Sequence, residues 1–327
     1  MTEQQRQRQR QRRRQQQRQR PHWTADRIPD QSGRVLVVTG ASSGLGLATA
    51  RAFARRGGQV VMAVRDEGRG REAAAGITAA QPDARLDVRV LDLADLDSVR
   101  AFAGRLCADH PRLDVLVNNA GVMAPPRTLG PQGHEIQFAT NHLGHFALTG
   151  LLLGALAKGA DPRVVTVTSA NHRKARLFFD DLTGARRYSP MGYYNQSKLA
   201  NAVFGHELHR RLTAAGSPVR SLLAHPGYAA TGLQHDGPVA PVRLLFGRLL
   251  APLAQSPERG ALPQLYAATE PGLAGGAFIG PDGRGELRGA PTRVELSAGA
   301  ADPGTGQRLW ELSERATEVR YALPAAA

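Results

Sequence analysis

From Gly33 onward, short apolar runs alternate with longer amphipathic stretches. Val35–Val38 is a run of four apolar residues ending at Thr39-Gly40, and Gln59–Val64, Val88–Leu91, Val115–Val117, Val164–Thr168 and Val219–Ala224 repeat the theme. Helical patterns fill the intervals at about 44–56, 67–80, 96–108, 134–157 and 193–214. Runs that are apolar on successive positions suit strands buried on both faces, and strands joined by crossover helices pair in parallel. The pattern predicts an α/β fold, a doubly wound parallel sheet of six strands. It forms a single Rossmann-type domain over residues 31–327 with no internal repeat. After Pro226 the chain becomes rich in Pro and Gly, with helices expected near 242–254, 258–269 and 307–317.

Charge changes the picture at one end. Residues 1–20 hold eight Arg and one Glu in a Gln background, half of the formal +14, with no apolar residue after Met1. Such a segment cannot bury enough surface to offset chain entropy, so residues 1–30 read as a disordered basic tail and linker. Nucleic acid or another acidic surface is a weakly suggested partner for it. No apolar core follows to make the tail a secretory signal, and the most apolar segment, Phe146–Ala157, is too short to span a bilayer, so no transmembrane segment is expected. The lone Cys107 excludes an intrachain disulfide and gives a cytoplasmic expectation.

Two patterns carry chemistry. Gly40-x-x-x-Gly44-x-Gly46 follows a buried-type strand and opens a helix, so Gly40, Ser42, Ser43, Gly44, Leu45 and Gly46 form a loop whose backbone can approach a pyrophosphate. An NAD site places an acid at the end of the second strand; here Val64 is followed by Arg65, whose guanidinium suits a 2′-phosphate. NADP is therefore expected ahead of NAD, although Asp66 is free either to pair with Arg65 or to start the next helix. Tyr194 and Lys198 stand four apart on a predicted helix and share one face. A nearby cation lowers a phenol's pKa and makes it a usable general acid or base. The plain alternatives are an ordinary Gly-rich turn and a surface pair.

With Thr39 through Gly46, Asn118-Asn119-Ala120-Gly121, Tyr194-x-x-x-Lys198 and His225-Pro226-Gly227 in that order, the chain resembles the short-chain dehydrogenases/reductases over about residues 33–325. Ser169-Ala170-Asn171-His172 and Tyr194 through Asn201 are most similar to the retinol dehydrogenase and WW-domain oxidoreductase branch, without a WW domain. The resemblance implies roles. Ser169 polarises the substrate oxygen, Tyr194 is the acid/base, Lys198 binds ribose and lowers the tyrosine pKa, and the Asn141 backbone holds a relay water. It also implies cofactor contacts at Asp92 and Leu93 near adenine, at Asn119, Ala120 and Gly121, at Pro226 and Gly227, and at Thr231. The Ser169–Tyr194 spacing of 25 is about twice that of the shortest members, and Ser189 lies nearer.

The implied function is hydride transfer between nicotinamide and a carbonyl or alcohol carbon of a small lipophilic molecule, in a homodimer or homotetramer. Its rival is a non-catalytic dinucleotide-binding sensor or scaffold. No metal is expected: His206-Glu207-Leu208-His209 has one residue too few between its histidines and reads as the wet face of a helix. His142 and His145 read as packing or hydrogen-bonding residues. Leu244, Leu245, Phe246, Leu249, Leu250 and Leu253 form an apolar stripe, read as a substrate lid, a buried helix or dimer contact, or a membrane-surface helix.

Overall fold

The computed structural model describes residues 22–229 and 254–323. Residues 1–21 of the expected tail, Thr231, the apolar stripe and all but the last residue of the helix expected at 242–254 lie outside the described residues, while in the linker that follows the tail Trp23 and Ile28 are buried.

Eight strands form one sheet: β1 Val35–Thr39, β2 Gln59–Val64, β3 Arg85–Val90, β4 Val115–Asn118, β5 Arg163–Val167, β6 Arg220–Ala224, β7 Phe278–Pro281 and β8 Pro291–Arg293. Their order is β3-β2-β1-β4-β5-β6-β7-β8. All pairs are parallel except β7 with β8. Six strands were expected. The two additional ones are short and carry Gly280-Pro281 and Pro291, which hide them from a search for apolar runs and suit the sheet's margin.

The helices of eleven residues or more are α1 Gly44–Ala54, α2 Glu67–Ala80, α3 Leu96–Asp109, α4 Gly144–Leu156, α5 Pro190–Ala214, α6 Pro257–Thr269 and α7 Pro303–Thr317. Alternate strand residues point to opposite faces, which divides the core in two. Val37, Val61, Leu116 and Val164 meet Phe102, Leu106, Phe146, Leu152, Phe204 and Trp310 from α3, α4, α5 and α7. Leu36, Val38, Val60, Val115 and Leu222 meet Phe53, Ile77, Ala267 and Ala268 from α1, α2 and α6. Among the described residues no helix is long and apolar enough to cross a membrane.

The helix expected over 134–157 is broken. Glu135, buried, accepts from the N–H groups of Gln137 and Phe138 and starts a short turn, Ile136–Phe138. Ala139–Leu143 is then a π-helical turn, closed by Gly144 N–H bonding the Ala139 carbonyl, and α4 follows. A Cβ on Gly144 would stand 2.2 Å from the Leu93 carbonyl oxygen, so this helix start is held against the end of the loop after β3. A π turn inserts one residue and re-aims those inside it, here including Asn141.

Because β1 is the strand from which the chain winds in both directions, a crevice opens between the carboxyl ends of β1 and β4. At the opposite, amino ends of these two strands, buried Asp114 ties them to the chain before β5, its carboxylate accepting from Val35 N–H at 2.8 Å and Ala160 N–H at 2.7 Å. Asp114→Ala should cost about 3 kcal/mol, because two inward N–H groups lose a charged acceptor. A calorimetric Tm lower by several degrees is expected, and an unchanged Tm would contradict that role.

Candidate active site

Thr39 ends β1, is buried, and accepts hydrogen bonds on its hydroxyl from the N–H groups of Asn119 and Ala120, both at 2.9 Å. Nε2 of His145 lies 2.9 Å from the same oxygen, and Nδ1 lies 3.0 Å from the Asn141 carbonyl. A carbonyl only accepts, so the proton sits on Nδ1 and Nε2 receives the Thr39 hydroxyl proton, an assignment made from the bonding pattern. The ring is neutral, its pKa pushed down by burial to about 4. One threonine thus fastens the end of β1, the turn after β4 and the π turn. Asn119 reinforces this, its amide donating to the Thr39 carbonyl at 2.8 Å.

The glycine loop lies directly above. Gly40 and Gly44 adopt φ of +69° and +55°, and a Cβ on Gly46 would fall 2.2 Å from the Gly40 carbonyl oxygen. Bare backbone is therefore required at all three positions. Ser43, the residue before α1, makes no side-chain cap bond, and the first turn of α1 holds no acid. The contrast is informative: α2, α3, α5, α6 and α7 are capped by Asp66, Asp95, Ser189, Ser256 and Asp302. The first-turn N–H groups of α1 lack such an acceptor, which fits an anion such as a pyrophosphate.

They face a cleft of about 290 Å³ lined by Gly40, Ser42, Ser43, Gly44, Leu45, Arg65, Asp92, Leu93, Asn119, Ala120 and Gly121. Gly46 packs beneath it, and Pro226, Gly227, Tyr194 and Lys198 lie outside this cleft. Asp66 is spent on capping, its Oδ1 accepting from Arg69 N–H at 3.0 Å, so it starts the helix and does not pair with Arg65. Arg69 also lines the cleft, and neither guanidinium has an ion-pair partner among the described residues. Sequence reading missed Arg69, although its place one turn into a helix after Arg65 was a usable signal. Asp92 caps no helix: its Oδ1 accepts from Ala94 N–H at 2.9 Å, and Asp95 caps α3.

At the other end Tyr194 lies in the first turns of α5 and Lys198 one turn on. Thr168, just after β5, fixes that turn by donating to the Lys198 carbonyl at 2.6 Å. Ser169 Oγ accepts from Asn171 N–H at 3.2 Å, and its hydroxyl is near enough to the Tyr194 phenol to pull that group's pKa down. Ser189 is a plain cap for α5. The buried Lys198 ammonium donates to the Val167 carbonyl at 3.3 Å and lies 6.0 Å from the Tyr194 ring centroid.

The expected lowering of the tyrosine pKa is not found. Burial pushes the Tyr194 phenol up to about 12, with the Ser169 bond pulling the other way. Burial also pushes Lys198 down to about 8, and at this separation desolvation outweighs the pair's attraction.

The Asn141 side chain is structural. Its Oδ1 accepts from Val122 N–H at 2.7 Å, while Nδ2 donates to the Val122 carbonyl at 3.0 Å and Ser197 Oγ at 2.9 Å. A Cβ on Gly121 would stand 3.1 Å from Asn141 Oδ1 and 3.5 Å from Lys198 Nζ, so these three residues converge.

The segment 206–209 is not a wet face, because Glu207 and Leu208 are buried. Glu207 faces the protein and is compensated by Arg210 at 2.7 Å and Arg211 at 2.6 Å. Among the described residues no cluster of three or more His, Cys, Asp or Glu has metal-binding geometry. His142, packed in the core, bonds Ser313 Oγ at 2.8 Å.

A model of the short chain dehydrogenase family matches residues 34–238. Retinol dehydrogenase 14 of Mus musculus is 40% identical over 293 residues, covering 86% of this chain and 85% of that protein. Polyprenol dehydrogenase of the same species is 43% identical over 297 residues, covering 89% and 85%. Among solved structures, an uncharacterized protein from Mycobacterium paratuberculosis is 45% identical with a TM-score of 0.78, over 93% of this chain and 100% of that one. A protein from Beutenbergia cavernae, described as an NAD(P)-dependent gluconate 5-dehydrogenase with NADP bound at low occupancy, is 28% identical. It has a TM-score of 0.58 over 74% of this chain and 91% of that one. The chain belongs to the short-chain dehydrogenase family and is an oxidoreductase that uses a nicotinamide dinucleotide on alcohol and carbonyl groups.

Proposed function

We propose that this oxidoreductase interconverts a carbonyl and an alcohol on a lipophilic small molecule, with NADP as its preferred dinucleotide. The observation that carries the reading is the uncapped first turn of α1, which leaves backbone donors facing a cleft framed by bare glycines. Preference for NADP rests on Arg65 and Arg69, two cations on one wall, with Asp66 removed from competition by its cap bond. A 2′-phosphate placed between them gains charge-assisted hydrogen bonds that a 2′-hydroxyl does not.

The dinucleotide, when bound, supplies or accepts the hydride. Tyr194, with a pKa of about 12, stays protonated at neutral pH and is a ready proton donor to a carbonyl oxygen. Ser169, beside the same phenol, shares the developing charge on that oxygen. Lys198, beside Gly121, would hold the ribose with its ammonium, and the Asn141 carbonyl, which His145 fixes, would hold the relay water. The lipophilic substrate class is supported by the names of the retinol and polyprenol dehydrogenases. It is also supported by the exposed Leu287, whose carbonyl accepts from Tyr228 N–H just after Gly227.

Arg65→Ala should raise KM for NADPH more than about tenfold while changing KM for NADH less than about twofold, with Arg69→Ala acting in the same direction but less. Equal effects on the two dinucleotides would remove the NADP assignment. Tyr194→Phe should lower kcat by about 10³ with the NADPH Kd nearly unchanged. Retained turnover would contradict the acid/base role, and a wild-type protein that binds NADPH yet turns over no retinoid, polyprenal or alkyl aldehyde would favour the non-catalytic reading.

A further inference from the structure

The turn between β7 and β8 reaches back toward the Ser169 and Gly227 turns through Glu286, a residue the proposed reaction does not use. Glu286 adopts φ of +56°, directly after Gly285 at +66°. A side chain in left-handed conformation is strained, and persists where surrounding contacts impose it. Those contacts are specific. The Glu286 carboxylate receives the Arg173 guanidinium at 3.0 Å on Oε1 and 2.9 Å on Oε2. It also lies 2.8 Å from His225 Nε2. His225 Nδ1 accepts from Gly227 N–H at 3.3 Å, so Nε2 carries the proton and donates it to the carboxylate.

The two partners belong to the two walls of the site. Arg173 lies in the helical turn Ala170–Lys174 that begins at Ser169, where His172 Nδ1 donates to the Ser169 carbonyl at 2.7 Å. His225 opens the turn after β6 that contains Gly227. Phe278 stands between them, 5.5 Å from the His172 ring and 5.3 Å from that of His225. The backbone of the turn also seats on Gly227. A Cβ there would fall 2.5 Å from the Leu287 carbonyl oxygen and 2.9 Å from that of Glu286, and Tyr228 N–H bonds the Leu287 carbonyl at 2.8 Å.

We infer that Glu286 is a positioning residue that clamps the Ser169 loop to the Gly227 turn, fixing the distance between the group that polarises the substrate oxygen and the surface against which the nicotinamide lies. This rests on the catalytic reading of Ser169 and Gly227 proposed above. Sub-ångström placement of reacting groups governs kcat far more than it governs dinucleotide affinity, which the glycine loop and arginine pair supply.

Glu286→Gln and Glu286→Gly test it, with decanal reduction by NADPH and the NADPH Kd as paired readouts. Both variants should lose about tenfold or more in kcat with the Kd changed less than about threefold. Tm should stay within about 2 °C of wild type, because the amide oxygen of Glu286→Gln still accepts from His225 and in Glu286→Gly relief of the strained φ offsets the lost half-buried ion pair. Amide hydrogen exchange at 170–174 and 227–229 should accelerate in both variants, a readout that needs no turnover. Wild-type kcat, unchanged exchange in those two segments, or a fall in Tm that parallels the loss of activity would each overturn the clamp. Tyr194→Phe separates the two readings. An inactive Tyr194→Phe beside a fully active Glu286→Gln rejects the clamp alone, whereas turnover equal to wild type in both rejects the catalytic reading beneath it.

Discussion

The Thr39 hydroxyl is buried where β1 and β4 end, and all of its hydrogen-bonding capacity is used there. It accepts from Asn119 and Ala120 and donates to His145, whose other nitrogen holds the Asn141 carbonyl. Each of those backbone groups would cost about 1–3 kcal/mol if buried without a partner, so the arrangement is fixed once the sheet forms. The crevice between the two strands, the glycine loop above it and the π turn beside it take their places from this junction. Because His145 is neutral throughout the working pH range, the junction does not change with pH.

Several departures from local rules of stability lie around the site. Among helices of eleven residues or more that start from a described loop, only α1 lacks a side-chain cap. Lys198 is buried against a single carbonyl, the Tyr194 phenol is half-buried beside it, and Glu286 holds a left-handed backbone. A fold that satisfies its backbone elsewhere keeps such departures where ligand binding or catalysis repays them. The burial that makes Lys198 easier to deprotonate also makes Tyr194 harder to ionise, which is why a spacing of four residues does not by itself yield an activated phenol.

Much of the architecture was legible because its determinants are local. The boundaries of α2 follow from Asp66 at one end and Gln81 at the other, and β2 from an unbroken apolar run. The start of β3 was misplaced by three residues, since Arg85 and Asp87 belong to a sheet margin where part of each face stays wet. No apolar period announces an i→i+5 turn at 139–143, and β7 and β8 are short, the one ending in Gly-Pro and the other beginning with Pro. The same division holds at the site. Glycine spacing and the Tyr194–Lys198 pair were visible along the chain. The Thr39–His145 contact spans 106 residues, His225–Glu286 61 and Arg173–Glu286 113, so only the fold reveals them.

The central claim is that this cleft and the Tyr194 end of α5 together move a hydride between the dinucleotide and a carbonyl carbon. Its most direct measurement uses NADPH bearing deuterium at the transferable position of nicotinamide carbon 4, incubated with the full chain and a panel of retinoid, polyprenyl and alkyl aldehydes, with the alcohols read by mass spectrometry. The account predicts one deuterium on the carbinol carbon of each product molecule. Alcohol formed without label, or bound NADPH that reduces no member of the panel, would contradict it.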